Sequence, residues 1–317
     1  MPQTTAIIRP DLGALAYEFS LGAASQGWIA QEVLPPFFTQ LKAATYPYIP
    51  TEALLEEVDT ARAPRSAYAR GDWEFDWKDY NCSENGFESP VDDSESAHFR
   101  NYFDAETVAT YRAMNVVLRK MESRCAAKIF NTNTFAPHAV AHAWSSYADA
   151  DPRGDIVAGK RAMRLATGLR PNALILDESI LDHVSLCQSV IERVKYTDPN
   201  AIRGDLTIPQ LEAYFGMRLI VAGAVSNKAS KKKAKNVQPI WSPTMAMMAV
   251  VSSGGQNLEE PCLGRLFVWE EDSPETLVVE QYREEQTRSN VYRARQQTDE
   301  CIQFTEAGYL MTGITQG

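Results

Sequence analysis

The pattern of hydrophobic and polar positions predicts a long helix near the middle of the chain. From about Asp104, whose side chain can cap a helix, to Phe130 there is no Gly or Pro. Apolar side chains recur there every three or four residues, as on one helical face: Val108, Tyr111, Met114, Leu118, Met121, Cys125 and Ile129. At ~1.5 Å of rise per residue this helix would be roughly 40 Å long, and we expect it to act as a spine.

The segment 170–197, RPNALILDESILDHVSLCQSVIERVKYT, predicts a strand followed by a helix. NALILD has the continuous apolar character of a buried strand. Ile180, Val184, Cys187, Ile191 and Val194 then follow at spacings of 4, 3, 4 and 3, which is typical of a helical face. We therefore predict a core formed by Leu174, Ile175, Leu176, Ile180, Val184, Ile191 and Val194.

The sequence after Trp144 predicts a region of mixed helices and strands. Asp155 is expected to cap a helix that Gly168 ends, and the capping box 207–210 to begin another that ends at Gly216. LIVAGA, MAMMAVV, LFVW and TLVVEQY predict strands, and CIQF and YLMTG a hairpin across TEAG. The fold class is α+β.

The first hundred residues predict an arm and a loop. Prolines in LPPFF (34–38) and YPYIP (46–50) exclude a helix or a central strand there. In WEFDW, residues Trp73, Phe75 and Trp77 alternate with polar ones and would form an aromatic stripe on one face of a strand. Because the flanking sequence is too polar to form a core, we expect the stripe to be buried against neighbouring copies of the chain.

Composition and charge sharpen this picture. The 317 residues are 44% hydrophobic and carry a net charge of -10, and residues 51–106 alone have 15 acidic and 5 basic side chains. We expect this acidic segment to meet basic groups on a neighbour, such as those of RAMR (161–164) or YRARQ (292–296). A pI near 5.0 argues against a dedicated nucleic-acid binder.

The candidates for chemistry all have structural alternatives, which we favour. Asp177, with His183 six residues on, could be a catalytic acid at a strand end, but helix caps are far commoner there. His138 and His142 have an i, i+4 spacing that could bind zinc, yet the glutamate of HExxH and a third ligand are missing. KKKAK (231–235) could bind phosphate, but a solvated loop fits its flanks better.

Several further classes of protein are excluded. The five cysteines are scattered, without a CxxC pair, which indicates a reducing environment rather than a disulfide framework or zinc cluster. No glycine motif of a nucleotide-binding protein or serine hydrolase is present. We expect no catalytic residue, no metal, no cofactor, no signal peptide and no membrane-spanning helix.

Seven segments, in order, resemble the major capsid proteins of tailed bacteriophages with the Hong Kong-phage-type fold. They are GWIAQEVLPPF, TARAPRSAYARGDWEFDWKDYNCSENGFESPVDD, RKMESRCAAKIFNT, GLRPNALILDESILDHVSLCQSVIERVKYT, GDLTIPQLEAYFGMRLIVAGAVSNKA, IWSPTMAMMAV and AGYLMTGI. The resemblance extends from about residue 26 to residue 315. The KKKAK run and the first 25 residues match nothing in that pattern.

The resemblance implies a division of the chain. It implies an N-terminal arm (1–50), an extended loop over an adjacent subunit (51–97), a peripheral domain with the spine helix (98–149), an axial domain (150–285) and C-terminal strands returning to the peripheral domain (286–317). In the loop, Arg62, Pro64, Tyr68 and Arg70 stand at the matching places, so with Trp73, Phe75 and Trp77 they are the expected contacts between subunits.

The resemblance also implies a function. Hexamers and pentamers of the chain would form an icosahedral phage head that encloses double-stranded DNA, bound non-specifically, without catalysis. A portal protein and a separate scaffold protein would be partners, a decoration protein is left open, and the shell would be assembled in the host cytoplasm as part of the virion. Two alternatives stay open: an encapsulin-like cargo compartment and an α/β enzyme using Asp177.

Overall fold

The computed structural model describes residues 7–8, 27–48, 50, 75–99, 104–197, 206–229 and 234–315, together with 55, 57, 59–62, 64–68 and 70. Trp73 of the aromatic stripe and the lysines 231–233 of the KKKAK run lie outside the described residues. The chain contains runs of strands and runs of helices, and the predicted α+β class is confirmed. In the described part of the chain no helix has the length and apolar character needed to cross a membrane.

The described helices are α1 (Ala30–Val33), α2 (Asp93–Phe99), α3 (Ala105–Ile129), α4 (Pro152–Thr167), α5 (Glu178–Leu186), α6 (Gln188–Thr197) and α7 (Ile208–Phe215). The described strands are β1 (Ile7–Ile8), β2 (Pro36–Thr39), β3 (Ala43–Tyr48), β4 (Asp76–Asn81), β5 (Ser83–Asp92), β6 (Pro137–Ala139), β7 (Ala173–Asp177), β8 (Arg218–Ala222), β9 (Val225–Asn227), β10 (Val237–Pro239), β11 (Met245–Ala249), β12 (Gly264–Trp269), β13 (Val278–Glu284), β14 (Ser289–Ile302) and β15 (Gly308–Thr312).

The first sheet is built around the long strand β14. Strand β5 pairs antiparallel along one side of β14, from Ser83 opposite Thr298 to Asp92 opposite Ser289, while β13 and β12 share the other side. Strand β2 lies parallel to β12 at an edge, where a strand tolerates the prolines of LPPFF. The long helix α3 packs across β14 and β5, and we call the hydrophobic cluster between them the first core.

Helix α3 is the predicted spine, and its buried face differs from the predicted one at the start. Asp104 is the N-cap, as predicted, and accepts a hydrogen bond from the Glu106 N–H at 3.2 Å. Met114, Leu118, Met121, Cys125 and Ile129 are buried and Tyr111 is partly buried, but Val108 is 49% exposed. Positions spaced by 3.5 residues drift by ~20° per seven residues on a 3.6-residue helix, so Val108 rotates away from the face that Ile129 occupies.

The second sheet has the strand order β6, β15, β11, β7, β8, and its central strands β11 and β7 are buried on both faces. In β7, Ala173 and Ile175 belong to the first core, whereas Leu174 and Leu176 belong to a second hydrophobic cluster with α4, α5, α6 and α7. We call that cluster the second core. Because alternate side chains of a strand point to opposite faces, the uninterrupted apolar run ALIL is what a strand between two cores requires.

The predicted single helix after β7 is two helices. Helix α5 ends at Leu186, and Cys187 adopts an extended conformation with a ψ of 131° before α6 begins. Ile180, Val184, Cys187 and Val194 are buried, but the break rotates α6, so Val190 is fully buried in place of the predicted Ile191, which is half-buried. The prediction was therefore wrong for Ile191, because it continued the helical periodicity of α5 across the break.

Three segments pair or pack with elements that the sequence did not indicate. Strands β12 and β13 lie in the first sheet with the spine helix and not with the axial-domain elements. Strand β15 lies in the second sheet beside β11, so CIQF and YLMTG do not form a hairpin. Residues 29–34 of the predicted arm are inserted in the first core of their own chain, where Val33 and Leu34 are fully buried.

A buried carboxylate joins three of these segments inside the first core. Glu122, in the second half of α3, accepts the Ala30 N–H on Oε1 at 2.7 Å and the Trp241 indole N–H on Oε2 at 2.8 Å. The Ala30 N–H is the first of α1 and has no partner within that helix. Burial raises the pKa of Glu122 from 4.5 to about 7, although the hydrogen bonds it accepts act in the opposite direction.

We predict that Glu122 makes the folded protein less stable at pH 8 than at pH 5. In the unfolded chain the carboxyl group ionises near pH 4.5, while in the folded chain it stays protonated until about pH 7. Its contribution is therefore fully present below pH 4.5, falls as the pH rises to about 7, and then levels off, by about 3 kcal/mol in all. Urea unfolding at both pH values measures this change.

The matched control is Glu122→Gln, whose amide does not ionise in this range. Because glutamine replaces one oxygen of the protonated carboxyl group by an NH₂ group that cannot accept a hydrogen bond, we expect it to destabilise the protein by about 1 to 3 kcal/mol at pH 5. The stability difference between the two proteins should then shrink between pH 5 and pH 8. Parallel pH profiles for wild type and Glu122→Gln would contradict the prediction.

Candidate assembly surface

The loop that the sequence predicts to contact a neighbour is attached to the subunit through a pair of strands. Strands β3 and β4 pair antiparallel, with Pro47 opposite Trp77. On the inner face, Tyr80 stacks on Phe267 of the first sheet at 4.4 Å between ring centroids, and Tyr46 packs on the same ring at 5.4 Å. This aromatic cluster fixes the start of the loop, because the rings are buried and in well-aligned contact.

Alternation along β4 separates an inner face from an outer one. Tyr80 is buried, and the ammonium group of Lys78 donates to the Gln303 carbonyl oxygen and lies 4.3 Å from the Tyr48 ring centroid. Burial lowers the pKa of Lys78. Trp77, on the outer face, is 65% exposed, and Phe75 just before the strand is 52% exposed. The two described rings of the predicted stripe are thus available for contact.

The four positions matched to the capsid-protein loop are also exposed. Arg62, Pro64 and Arg70 are exposed, and Tyr68 is 72% exposed. The Arg62 guanidinium lies 4.4 Å from the Tyr68 ring centroid and donates to the Tyr68 hydroxyl at 3.2 Å and the Ser66 carbonyl oxygen at 2.7 Å. These contacts hold a local turn whose described residues are exposed.

An apolar depression adjoins the stripe. Pro47, Tyr48, Phe75, Leu258, Pro261 and Phe304 line it together with Glu259, around a volume of about 410 Å³. We call this depression together with Trp77 and Tyr68 the aromatic surface. Exposed apolar side chains of this kind mark a site for another protein surface.

The arginines of YRARQ pair with carboxylates of their own chain, contrary to the prediction that they would pair with a neighbour. Arg293 pairs with Glu88 at 2.6 Å, and Arg295 pairs with Glu280 at 2.7 Å and with Asp272, all in the same chain. Asp93, the first residue of α2, accepts two hydrogen bonds from the Arg283 guanidinium group of β13. This ion pair lowers the pKa of Asp93. Part of the acidity of residues 51–106 is therefore neutralised inside the subunit.

The residues considered for catalysis are not brought together. Asp177 is buried at the N-cap of α5 and accepts hydrogen bonds from the Ser179 N–H at 3.1 Å and the Ser179 hydroxyl at 2.5 Å. His183 lies in the last turn of α5, roughly 9 Å further along the axis. Its Nδ1 is 3.0 Å from the Tyr147 hydroxyl. Asp177 is therefore a helix cap, as the sequence favoured.

The surroundings of the histidine pair and of three buried cysteines favour structural roles for these residues. His138 lies in β6, not in a helix, and stacks on Tyr309 at 4.0 Å, while His142 is exposed. No group of three possible metal ligands occurs among the described residues. Burial raises the pKa of the Cys82, Cys187 and Cys262 thiols to about 11, which disfavours the reactive thiolate.

Two residues that organise the structure were missed by the sequence reasoning. The hydrophobic pattern does not single out Glu122, whose two buried donors come from segments about 90 and 120 residues away. The N-cap of α4 is Asp151, and not the predicted Asp155, which instead accepts the Trp144 indole N–H at 2.9 Å. The proline after Asp151, at the first helical position, is the local signal that could have identified this cap.

Comparisons with known proteins agree with this picture. No protein-family model matches the sequence. The chain is 25% identical over 320 residues to the major capsid protein of Burkholderia phage BcepMu, with 97% of each chain covered. It is also similar to the crystal structure of a phage-related protein from Bordetella bronchiseptica RB50, with a TM-score of 0.70, 20% identity and 98% of each chain covered.

More distant structures share the fold. The capsid of cyanophage P-SCSP1u has a TM-score of 0.57 at 9% identity, covering 88% of this chain and 86% of that one. An encapsulin from Synechococcus elongatus PCC 7942 has a TM-score of 0.53 at 11% identity, covering 90% and 87%. The chain thus has the phage capsid fold of the Hong Kong type, and the predicted resemblance to phage major capsid proteins is confirmed.

We predict that Asp177 supports stability through its cap. Asp177→Ala removes both hydrogen bonds to Ser179 and should lower the free energy of unfolding by about 1 kcal/mol. Asp177→Asn keeps an acceptor oxygen and should stay within a few tenths of a kcal/mol of wild type. Chemical denaturation measures both. If Asp177→Asn abolished an enzymatic activity while the protein still assembled, the catalytic alternative would be correct.

Proposed function

We propose that this chain is the major capsid protein of a tailed phage and assembles as hexamers and pentamers into an icosahedral head that encloses double-stranded DNA. The observation that carries the proposal is the aromatic surface, exposed on a chain that is similar over 97% of its length to a phage major capsid protein. The position of these rings in the capsid-protein loop pattern supports a neighbouring copy as the partner that covers them.

The energetics favour closed assembly over a monomer. Burying an aromatic side chain contributes about 2 to 3 kcal/mol, and the aromatic surface offers several rings next to a depression of about 410 Å³. In a symmetric shell every subunit gives and receives the same contact, so the interaction is repeated through the whole shell. A modest interface per subunit is then sufficient.

The remaining parts of the proposal concern partners and place. The acidic net charge of -10 suits a container that does not bind DNA tightly and is filled by a separate motor. In this proposal the shell forms in the host cytoplasm with a portal protein and a separate scaffold protein, becomes part of the virion, and performs no catalysis. A decoration protein would need a site on the outer surface of the shell.

The second candidate is an encapsulin-like compartment, because an encapsulin has the same fold. That likeness concerns the fold alone, whereas the sequence similarity over nearly the whole chain is to a phage protein. The two are distinguished by what assembled particles protect when purified from a phage-producing host. Nuclease-resistant DNA supports the phage head, and a co-purifying enzyme in place of DNA supports the compartment.

We predict that removing rings from the aromatic surface prevents shell closure without unfolding the subunit. Tyr68→Ala with Trp77→Ala removes two side chains that are mostly exposed in the subunit, so the thermal unfolding midpoint should change little. Assembly should fail, because the rings are buried only between copies. Negative-stain electron microscopy and sedimentation velocity measure the outcome.

The matched control is Tyr68→Phe with Trp77→Phe, which keeps an aromatic ring at each position. We expect this variant to assemble at close to the wild-type level, since ring contact and not the polar atoms drives burial here. The wider variant Trp73→Ala with Trp77→Ala should fail in the same way. Normal shells from either alanine variant would refute the role given to the aromatic surface.

A further inference from the structure

A fully buried arginine lies next to the aromatic surface. Arg265 is the charged residue of strand β12, and its side chain is completely excluded from solvent. Leu266 and Val268 belong to the first core, so by alternation Arg265 and Phe267 lie on the opposite face of the first sheet. Phe267 is the ring on which Tyr80 stacks at the start of the loop. The buried charge therefore lies on the same face of the sheet as the aromatic cluster.

The Arg265 guanidinium group binds the connection between β11 and β12, residues 250–263, which we call the strap. It donates to the Gly255 carbonyl oxygen and, at 2.6 Å, to the Asn257 carbonyl oxygen. It also pairs with the Glu260 carboxylate at 3.4 Å. A charge buried without partners is strongly unfavourable, so the strap supplies the polar atoms that allow the arginine to be buried.

The strap has little apolar packing that could fix its shape. Residues 253–257 and Glu259 are exposed, and Leu258 is partly buried against the aromatic cluster. The Ser252 hydroxyl donates to the Glu260 carboxylate at 2.7 Å, which joins two ends of the strap at the group that the arginine also contacts. Because three residues of the strap are bound to one buried guanidinium group, the conformation of the strap depends on that group.

The strap is also bound to the edge strand of the first sheet. Strand β2 lies at the edge of that sheet, beside β12. The Gln256 amide accepts the Phe38 N–H at 2.9 Å and donates to the Pro36 carbonyl oxygen at 3.2 Å. An edge strand offers such backbone groups to any chain that approaches it, and here one side chain of the strap binds two of them.

The strap forms one wall of the depression in the aromatic surface. Three of the seven lining residues, Leu258, Glu259 and Pro261, belong to the strap. Pro47 and Tyr48 line it from β3, the strand that the aromatic cluster fixes to the first sheet. A depression of about 410 Å³ keeps its shape only if both walls are held in place. The aromatic cluster holds the β3 wall, and Arg265 holds the strap.

We propose that Arg265 is a positioning residue of the aromatic surface: it holds the strap so that the depression accepts an apolar side chain of a neighbouring copy. The inference rests on the proposed function, in which a second copy covers this surface. A buried ion pair adds little net stability, but its directional hydrogen bonds select one conformation of the strap. A wall that is already in its bound shape loses less conformational entropy when the copies associate, which strengthens the contact.

Limited proteolysis of the full-length, unassembled subunit tests the hold on the strap. A glutamyl endopeptidase cuts after Glu259 when the strap opens, and mass spectrometry identifies the fragment that ends there. In Arg265→Met, which keeps an unbranched side chain of similar length, this cleavage should be about tenfold faster than in wild type. Arg218→Met is the matched control, because it removes an ion pair with Glu32 from β8 and should leave the cleavage rate unchanged. Equal cleavage of wild type and Arg265→Met would overturn the proposal.

Sedimentation velocity of the same variants measures the consequence for assembly. Arg265→Met should need an about tenfold higher protein concentration to form shells, with a thermal unfolding midpoint close to that of wild type, while Arg218→Met should assemble as wild type does. If the strap of Arg265→Met were cleaved faster but its shells formed at the wild-type concentration, the proposal would be wrong. An absence of shells in wild type would instead contradict the proposed function, and the cleavage rates would still decide whether Arg265 holds the strap.

A second variant, Arg265→Lys, decides the question if Arg265→Met fails to fold. Lysine keeps the buried charge beside Glu260, but its single ammonium group cannot reproduce the planar fork that reaches Gly255 and Asn257 together. We expect this variant to fold, to be cleaved after Glu259 faster than wild type, and to need a higher concentration for assembly. Wild-type behaviour of Arg265→Lys in both measurements would show that charge alone is sufficient and would refute the positioning role.

Discussion

The fold depends on a buried carboxyl group in the second half of the spine helix. Glu122 accepts one hydrogen bond from the start of α1 and one from the indole of Trp241, so three distant segments meet at one side chain. Each donor would otherwise be buried without an acceptor, at a cost of about 1 to 3 kcal/mol. This arrangement holds a carboxyl group out of water, and that burial raises the pKa of Glu122 to about 7.

Burial of apolar side chains explains the second sheet. Strands β7 and β11 place alternate side chains in the first and second cores, so one set of strands joins the spine-helix layer to the helices α4 to α7. A rigid subunit results, because the two cores share their central strands and cannot move apart without exposing both. Such a subunit suits a shell, in which each copy must keep its shape while it contacts several others.

Charge and apolar surface are distributed differently over this subunit. Most arginines around the first sheet pair with carboxylates of the same chain and fix strands β5, β13 and β14 to one another. The large exposed rings are concentrated where the arm strand β3 and the loop strand β4 pair. Electrostatic pairs therefore connect elements within the subunit, while the exposed rings are available for association.

The sequence by itself determined the elements and the resemblance. The Asp177 cap, the capping box before α7, the buried strand ALIL and the extent of the spine helix follow from local hydrogen bonding and from periodicity, which need no distant partner. The family pattern indicated the fold, because its segments recur in a fixed order.

Only the tertiary structure decided which strands share a sheet and which side chains share a core. The move of β15 into the second sheet, the break at Cys187 that exchanges Ile191 for Val190, and the role of Glu122 all depend on residues far away in the chain. Hydrophobic pattern fixes which face of a segment is buried but not against what, because burial of apolar surface is non-directional. Strand pairing and buried hydrogen bonds are directional, and they decide which segments pack together.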